Sequence, residues 1–250
     1  MEVHHHPSTS SGHNRKKWTH YLREFLMLFF AVFCGFLAEY TLEHKIEADR
    51  EKQYAFSMVE DLKLDTAALN KVILLRTKRL QLIDSFFLLM NGPVDTTRLS
   101  DLYFYSLLIR RFAMLHFIYN DGTIQQLKTG GLRLIRTRIV ADSIVQYDSY
   151  VRRIEKAQER EEISIQDFKP YCLKIFDGRI YYEMITENDR PRRPFGNPAL
   201  LRYTKEDLNN LIATLTSVKS SNVACRSFSA QLYNKAAGLL YTIKKEYHMK

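Results

Sequence analysis

Two glycines with basic neighbours form the most suggestive candidate for a binding site in this sequence. Gly130 and Gly131 precede a predicted helix, and Lys128, Arg133 and Arg136 surround them. Glycines before a helix N-terminus expose backbone N–H groups, and nearby arginines bind phosphate or carboxylate groups. The alternative is structural: Gly130 ends one helix, Gly131 permits close packing, and the basic side chains pair with acids. We favour the structural interpretation and keep these five residues as a candidate contact for an anion or a partner.

The sequence lacks the familiar motifs of catalysis and cofactor binding. It contains no phosphate-binding loop, no dinucleotide-binding glycine fingerprint, no H-E-x-x-H zinc motif and no G-x-S-x-G nucleophile turn. His20, His44, His116 and His248 are scattered, and the histidines at 4–6 lie in a polar tail. A triad assembled only in space stays open. We expect a non-enzymatic protein with no catalytic residues, no cofactor and no metal.

The three cysteines have no metal-binding or redox spacing. Cys34 lies in an apolar segment, while Cys172 and Cys225 are isolated from each other and from histidines. A disulfide between Cys172 and Cys225 would require an oxidising compartment. We favour two small buried thiols instead.

Two further segments have a functional and a structural interpretation. Arg190, Arg192 and Arg193 offer charge to an acidic partner or to lipid headgroups, but we favour a solvated loop. The aromatic residues in 103–118 suit an apolar pocket or a core, and aromatic side chains at this density most often form a core.

Composition favours helices and a basic surface. Glycine (9) and proline (6), which disrupt helix interiors, are few among 250 residues. The net charge is +9, and residues 1–50 hold equal numbers of acids and bases, so the excess lies in residues 51–250. The basic residues are dispersed in pairs and triplets, which is typical of a solvated surface rather than a nucleic-acid site.

An uncharged run of Phe25 to Ala38, FLMLFFAVFCGFLA, suggests a membrane anchor. The run alone is short for a span, but Trp18, Tyr21 and Tyr40 flank it as an aromatic belt. Cleavage as a signal peptide fits poorly, because large phenylalanines occupy the positions where small residues are required. We predict a disordered cytoplasmic tail at 1–17, a transmembrane helix at 18–42 and a helical extracytoplasmic domain at 43–250.

Charge bias predicts the orientation of this anchor. Four Lys/Arg residues precede the uncharged run, and three follow it closely. Basic residues favour the cytoplasmic side. We therefore place the N-terminus in the cytoplasm and the main domain in the periplasm of a bacterial inner membrane.

The rest of the chain predicts helices in a bundle. Residues 41–90 contain no Gly or Pro. A heptad seam alternates steps of four and three through Ala55, Val59, Leu62, Thr66, Leu69, Ile73, Arg76, Leu80, Ile83 and Phe87. Thr66 and Arg76 interrupt its apolar character, which favours a bundle face over a pure coiled coil. Asn91-Gly92-Pro93 ends this helix. We expect further helices at 97–116, 123–128, 134–160, 205–218 and 224–247, helical or mixed structure at 162–185, a loop at 187–198, and a helix cap formed by Thr204 with Asp207.

Two stretches resemble a large family of uncharacterised bacterial single-span proteins, known as a domain of unknown function. They are REFLMLFFAVFCGFLAEYTLEHKIEADREKQYAFSMVEDLKLD within residues 23–70 and YNDGTIQQLKTGGLRLIRTRIVADSIVQYDSY within 119–154. The resemblance implies a membrane-anchored helical protein with no established activity. This chain departs from the family in its phenylalanine-rich apolar run and its His/Ser-rich tail.

The expected fold class is therefore all-α, with an N-terminal transmembrane helix continuing into a long helix of an extracytoplasmic helical bundle. The expected function is a non-enzymatic module that acts by protein–protein contacts or ligand sensing in the cell envelope, as a homo-oligomer or with an envelope partner. One alternative is a soluble basic protein that binds nucleic acid and whose apolar segment is a core helix. Another is an enzyme with an unrecognised site in the bundle.

Overall fold

The computed structural model describes residues 13–111, 115–130 and 132–249, with side chains from residue 18 onward. The predicted all-α class is confirmed. Within the described residues the helices are α1 (His13–Met90), α2 (Leu99–Arg110), α3 (Gly122–Gly130), α4 (Arg138–Ile175), α5 (Gly178–Glu183) and α6 (Lys205–Glu246), with a 3-10 turn at Leu132–Leu134. Most of the predicted tail, including the histidines at 4–6, lies outside the described residues.

The chain divides into two compact units, Met1–Gln53 and Tyr54–Lys250. In the first unit, every described side chain from 18 to 46 is exposed. The helix there is long and apolar enough to cross a membrane, with a mean hydropathy of 2.0 over its most apolar 18-residue window and no part of that window buried. Phe25, Phe29 and Phe33 stack along one face, with ring centroids 6.2 Å and 5.9 Å apart.

The second unit contains three long helical segments with strict heptad burial: residues 54–90 of α1, together with α4 and α6. Apolar positions that repeat in alternating steps of three and four form the seam along which helices pack. The buried positions include 55, 58, 62, 65, 69, 72, 76, 79, 83, 86 and 90 in α1, 140, 144, 147, 151, 154, 158, 161, 165, 168, 172 and 175 in α4, and 211, 215, 218, 222, 225, 229, 232, 236, 239 and 243 in α6. These segments form a helical bundle.

Two apolar clusters lie at different levels of this bundle. The first cluster takes residues from 55–72, 140–154 and 232–243, and the second from 83–90, 165–176 and 211–218, with α2 packed against the second. Residue numbers rise from the first cluster to the second in α1 and α4 and fall in α6. The segments from α1 and α4 therefore run parallel, and α6 runs antiparallel to both.

The structure confirms several predicted boundaries. Helix α1 ends at Met90, and Gly92 follows with a positive φ of 114°, a conformation that favours glycine. The predicted cap of α6 is a full capping box, in which Thr204 accepts from the Asp207 backbone N–H and Asp207 accepts from the backbone N–H of Thr204.

Other predicted boundaries are wrong. The two helices expected at 205–218 and 224–247 are one helix, α6. Helix α4 begins at Arg138 rather than 134, and it continues to Ile175 with Pro170 inside it. Helix α2 is shorter than expected and ends at Arg110.

The predicted seam of α1 is correct at alternate positions and wrong by one residue at the others. Thr66, Ile73 and Leu80 are half-buried and Phe87 is exposed, whereas the preceding residues, Asp65, Val72, Arg79 and Phe86, are buried. The true seam carries charged residues, which a search for apolar periodicity passes over.

Candidate functional site

A layer of polar side chains separates the two apolar clusters of the bundle. Each of the three heptad helices contributes to it from positions where an apolar residue is the usual occupant. The layer, called here the polar layer, consists of Arg76, Arg79, Gln158, Glu161, Asn222 and Cys225, all buried. Buried charges are costly unless they are paired and hydrogen-bonded, so the pairing within this layer determines whether the bundle is stable.

Arg76 joins all three helices through its guanidinium group. Its Nη1 donates to both carboxylate oxygens of Glu161, at 2.9 Å and 2.8 Å, and to Asn222 Oδ1 at 3.3 Å. Its Nη2 donates to the carbonyl of Leu115 at 2.9 Å, and the Asn222 side-chain amide donates to the Arg76 carbonyl at 3.0 Å. Arg76 and Glu161 are both fully buried, so water does not screen this ion pair.

Arg79 shares the same carboxylate. Its Nη1 donates to Glu161 Oε1 at 3.0 Å, and its Nη2 donates to the carbonyl of Ile109. Two buried guanidinium groups therefore face one carboxylate within the described residues, which leaves the layer with an excess of one positive charge. The pKa of the Arg79 guanidinium is lowered to about 10, mainly by burial, with Glu161 raising it and the neighbouring Arg76 lowering it. Arg79 is still charged at neutral pH.

The two arginines also retain unused hydrogen-bonding capacity. The Nε atoms of Arg76 and Arg79 are buried and have no hydrogen-bond partner among the described residues. An unpaired buried donor on a charged group costs free energy. Among its described residues, the polar layer thus has too few acceptors for its donors and less negative than positive charge.

A cavity of about 320 Å³ adjoins Arg79; it is called here the basic cavity. Its walls are largely apolar and come from α1, α2 and the segment that follows α2: Leu75, Leu82, Leu108 and Leu115. Ligand cavities in proteins combine apolar walls of this kind with a few polar groups that orient the ligand.

The remaining side chains of the basic cavity are mostly cationic. Lys78, Arg79, Arg111 and Arg190 line it, with Asp189 as the acid. Arg111 and Asp189 form a two-pronged ion pair, with Nη1 donating to Oδ1 at 2.9 Å and Nη2 donating to Oδ2 at 2.5 Å. Nη2 also donates to the Asp189 backbone carbonyl at 2.9 Å. This pair holds the pKa of the Asp189 carboxyl below its usual range. Among the described residues that line the cavity, Asp189 is the only acid and it pairs with Arg111, so Lys78, Arg79 and Arg190 have no acid within that lining.

The loop that carries Asp189 is held in a tight conformation. Asp189 has a positive φ of 54°, its N–H donates to the Thr186 carbonyl at 2.9 Å, and Ile185 and Pro191 form an isolated antiparallel bridge. A non-glycine residue in the left-handed region carries strain that the surrounding contacts must offset. The ion pair with Arg111 is one of those contacts.

Lys128, one of the predicted anion contacts, is paired with an acid. It lies in the last turn of α3, and its Nζ donates to Asp148 Oδ1 at 2.7 Å. Arg152 donates to the other oxygen of the same carboxylate. This pairing is the one that the structural interpretation of the glycine segment expects.

The other predicted contacts lie around the end of α3. Gly130 is its last residue, and a Cβ added there would meet the Leu134 side chain at 3.0 Å. Arg133 lies in the 3-10 turn and Arg136 follows it, both exposed. Gly131 lies outside the described residues. Anion binding at this segment stays a prediction.

The arginines at 190–193 differ in their surroundings. Arg190 lines the basic cavity. Arg192 Nε donates to the Glu183 carbonyl at 2.9 Å, and Arg193 pairs with Asp101. Arg192 and Arg193 are therefore engaged within the chain.

The aromatic residues of α2 contribute to the core. Tyr103 makes edge contacts with Phe176 and Tyr181, with ring centroids 5.0 Å and 5.6 Å apart. Its hydroxyl accepts from the Asp177 N–H and donates to the Ala199 carbonyl, both at 3.0 Å. The core interpretation holds for Tyr103, while Phe112 lies outside the described residues.

Cys172 and Cys225 are free and buried, so the interpretation as two buried thiols is confirmed. Burial raises the pKa of each thiol to about 12. Because thiols react as thiolates, both are poor nucleophiles in the folded chain.

Sequence reasoning missed both the polar layer and the basic cavity. The available signal was the strict heptad in α1 that places Arg76 and Arg79 in the seam, facing Glu161 and Asn222 at seam positions of α4 and α6. The signal is weak, since Lys, Arg and Glu are almost never fully buried unless paired.

No family model matches the chain, and neither a curated protein nor a solved structure shows significant similarity to it. The resemblance to a family of single-span bacterial proteins therefore stays a prediction.

Proposed function

We propose that this chain is a membrane-anchored, non-enzymatic helical module that acts by binding in the cell envelope of a bacterium. One observation carries the proposal: the apolar stretch of α1 is exposed along its entire length. A core helix of a soluble protein buries such a surface, because exposing an apolar surface of this extent to water is unfavourable. A lipid bilayer is the environment that suits it.

The flanks of the stretch support the same placement. Trp18, Tyr21 and Tyr40 are exposed and lie near its two ends, where aromatic side chains favour the membrane interface. The excess of Lys and Arg before the stretch favours a cytoplasmic N-terminus and a periplasmic second unit. Its partners on that side would be a second copy of the chain, another envelope protein or a small ligand.

Protease accessibility of a C-terminally tagged chain tests the anchor and its orientation together. Intact spheroplasts are treated with protease, and the carbonate-washed membrane fraction is then probed for the tag. We expect the tag to sediment with membranes and to be lost from intact spheroplasts. A tag that stays protected in the membrane pellet would reverse the orientation.

A tag released by carbonate into the soluble fraction would contradict the anchor itself. It would favour the alternative of a soluble basic protein that binds nucleic acid, and salt-sensitive binding to DNA or RNA is the property to measure in that case. A matched control is a chain in which Phe29 and Phe33 are changed to Lys, since charges at the centre of the stretch should abolish membrane insertion.

A further inference from the structure

We propose that the basic cavity binds a small amphipathic carboxylate, with its carboxylate at Lys78 and Arg190 and its apolar part against the leucines of α1 and α2. The inference rests on the proposal that the module acts by binding, and it is independent of the anchor.

The walls and volume of the cavity select the apolar part of the ligand. Leu75, Leu82, Leu108 and Leu115 present aliphatic surface, and such surface gains free energy when an apolar group displaces water from it. A volume of about 320 Å³ lies at the lower end of the range for ligand cavities. It suits one short acyl chain or one aromatic ring, and it is too small for the two acyl chains of a phospholipid.

The charges of the cavity select the anionic part. Lys78 and Arg190 are exposed at the cavity, and neither forms an ion pair that the structure records among the described residues. Arg111 is occupied by Asp189. An incoming carboxylate finds two cations that have no recorded ion pair among the described residues, beside an apolar surface. Hydrogen bonds between charged partners are stronger than neutral ones.

Arg79 extends the attraction into the bundle. It lines the cavity and also donates to Glu161, so it belongs to both the cavity and the polar layer. The polar layer carries one more positive charge than negative charge, and an anion next to Arg79 reduces that imbalance. Binding is therefore expected to stabilise the folded bundle, since a ligand that binds only the folded state shifts unfolding to higher temperature.

Titration calorimetry on the full chain tests the proposal, with octanoate as the probe and octanamide as its uncharged counterpart. The chain is studied in zwitterionic nanodiscs with empty discs as the blank, or in plain buffer if the anchor proves wrong. We expect octanoate to bind at one site per chain and octanamide to bind at least about tenfold more weakly, because only the carboxylate pairs with the cations.

Paired charge-removing variants locate the site. In Lys78→Gln/Arg190→Gln, octanoate affinity should fall at least about tenfold. The control Lys71→Gln/Arg202→Gln removes the same charge from exposed positions that do not line the cavity, and its affinity should stay within about twofold of the parent chain. All four side chains are exposed, and circular dichroism melting verifies that both variants fold.

Three results would overturn the inference: no octanoate binding, equal binding of octanamide, or equal losses in the two double variants. Each of these leaves the carbonate and protease results unaffected, so failure of the ligand assignment is distinguishable from failure of the anchor. Octanoate should also raise the melting temperature of the parent chain and leave that of Lys78→Gln/Arg190→Gln unchanged at the same concentration.

Discussion

At the residue scale, Glu161 controls the energetics of the polar layer. Within the described part of the chain it is the carboxylate that contacts both Arg76 and Arg79. Replacing a buried ion pair with apolar residues is often harmless, whereas removing one partner leaves a buried charge without compensation. The arrangement is therefore a source of vulnerability as much as of stability.

Glu161→Gln should lower the free energy of unfolding by about 3–5 kcal/mol, since two buried guanidinium groups then lack a negative partner. The measurement is urea unfolding followed by circular dichroism. Glu162→Gln is the matched control, because Glu162 is adjacent in sequence but its side chain is exposed. This substitution should change the free energy of unfolding by no more than about 0.5 kcal/mol. Equal stability of the two variants would show that Glu161 does not compensate the arginines.

Asp65 gives the stability of the bundle a dependence on pH. Burial raises the pKa of its carboxyl above the ordinary value of 3.8, although hydrogen bonds from Tyr147 and Asn120 lower it. The folded chain thus holds this proton more tightly than the unfolded chain does. The contribution of Asp65 to stability is full below pH 3.8 and is lost as the pH rises through the folded pKa.

Asp65→Asn should remove this titration. The free energy of unfolding of the parent chain minus that of the variant should be largest at acid pH and should decline as the pH rises above 3.8. Urea unfolding of both proteins at several pH values measures this difference, in which the titrating groups that do not interact with Asp65 cancel. A difference that stays constant with pH would mean that the Asp65 pKa is the same in the folded and unfolded chain.

At the scale of the element, the register of α1 decides which side chains form the core. Phe86 is fully buried and contacts Phe168 and Phe176, with ring centroids 6.4 Å and 6.1 Å apart, whereas Phe87 is 39% exposed. The sequence pattern alone favoured Phe87. Two adjacent residues of the same type therefore distinguish the register in the structure from the predicted one.

Phe86→Ala should cost about 3–5 kcal/mol of stability through lost burial and the cavity that it leaves. Phe87→Ala should cost a small fraction of that, because much of its surface is already in water. Thermal or urea unfolding of the two variants provides the comparison. A larger loss in Phe87→Ala would restore the register predicted from the sequence.

Helix α6 shows why a polar residue in a heptad does not end a helix. The Ser220-Ser221-Asn222 segment separates two apolar runs, and the sequence alone favoured two helices there. In the bundle, Asn222 accepts from Arg76 and donates to the Arg76 carbonyl. Tertiary hydrogen bonds thus satisfy the side chain that would otherwise favour a turn.

At the scale of the whole molecule, the polar layer links the two apolar clusters. Cys172 lies in the second cluster and Cys225 lies in the polar layer. If the polar layer and the second cluster unfold as one cooperative unit, both thiols should become accessible in the same unfolding transition.

In a Cys34→Ser background, a thiol reagent should label neither remaining cysteine in the folded chain, and it should label both at the same urea midpoint. Single variants Cys172→Ser and Cys225→Ser assign each signal. Labelling of one thiol well before the other would reveal that part of the second unit opens independently of the rest.

The sequence alone determined the all-helical class, the long apolar N-terminal helix, the end of α1 at Met90 and the capping box of α6. Each of these depends on local chemistry: the spacing of apolar residues, the absence of Gly and Pro, and a cap formed by two residues three positions apart. Such signals act within one helix and need no knowledge of its neighbours.

Only the tertiary structure decided which charged residues are buried and where a cavity forms. The heptad position of Arg76 appeared in the sequence as an interruption of the seam, and the predicted seam did not include Arg79. Their burial depends on Glu161 and Asn222, which lie 85 and 146 residues further along the chain from Arg76. Because a buried charge is stable only beside its partner, its position follows from the packing of three helices and not from any one of them.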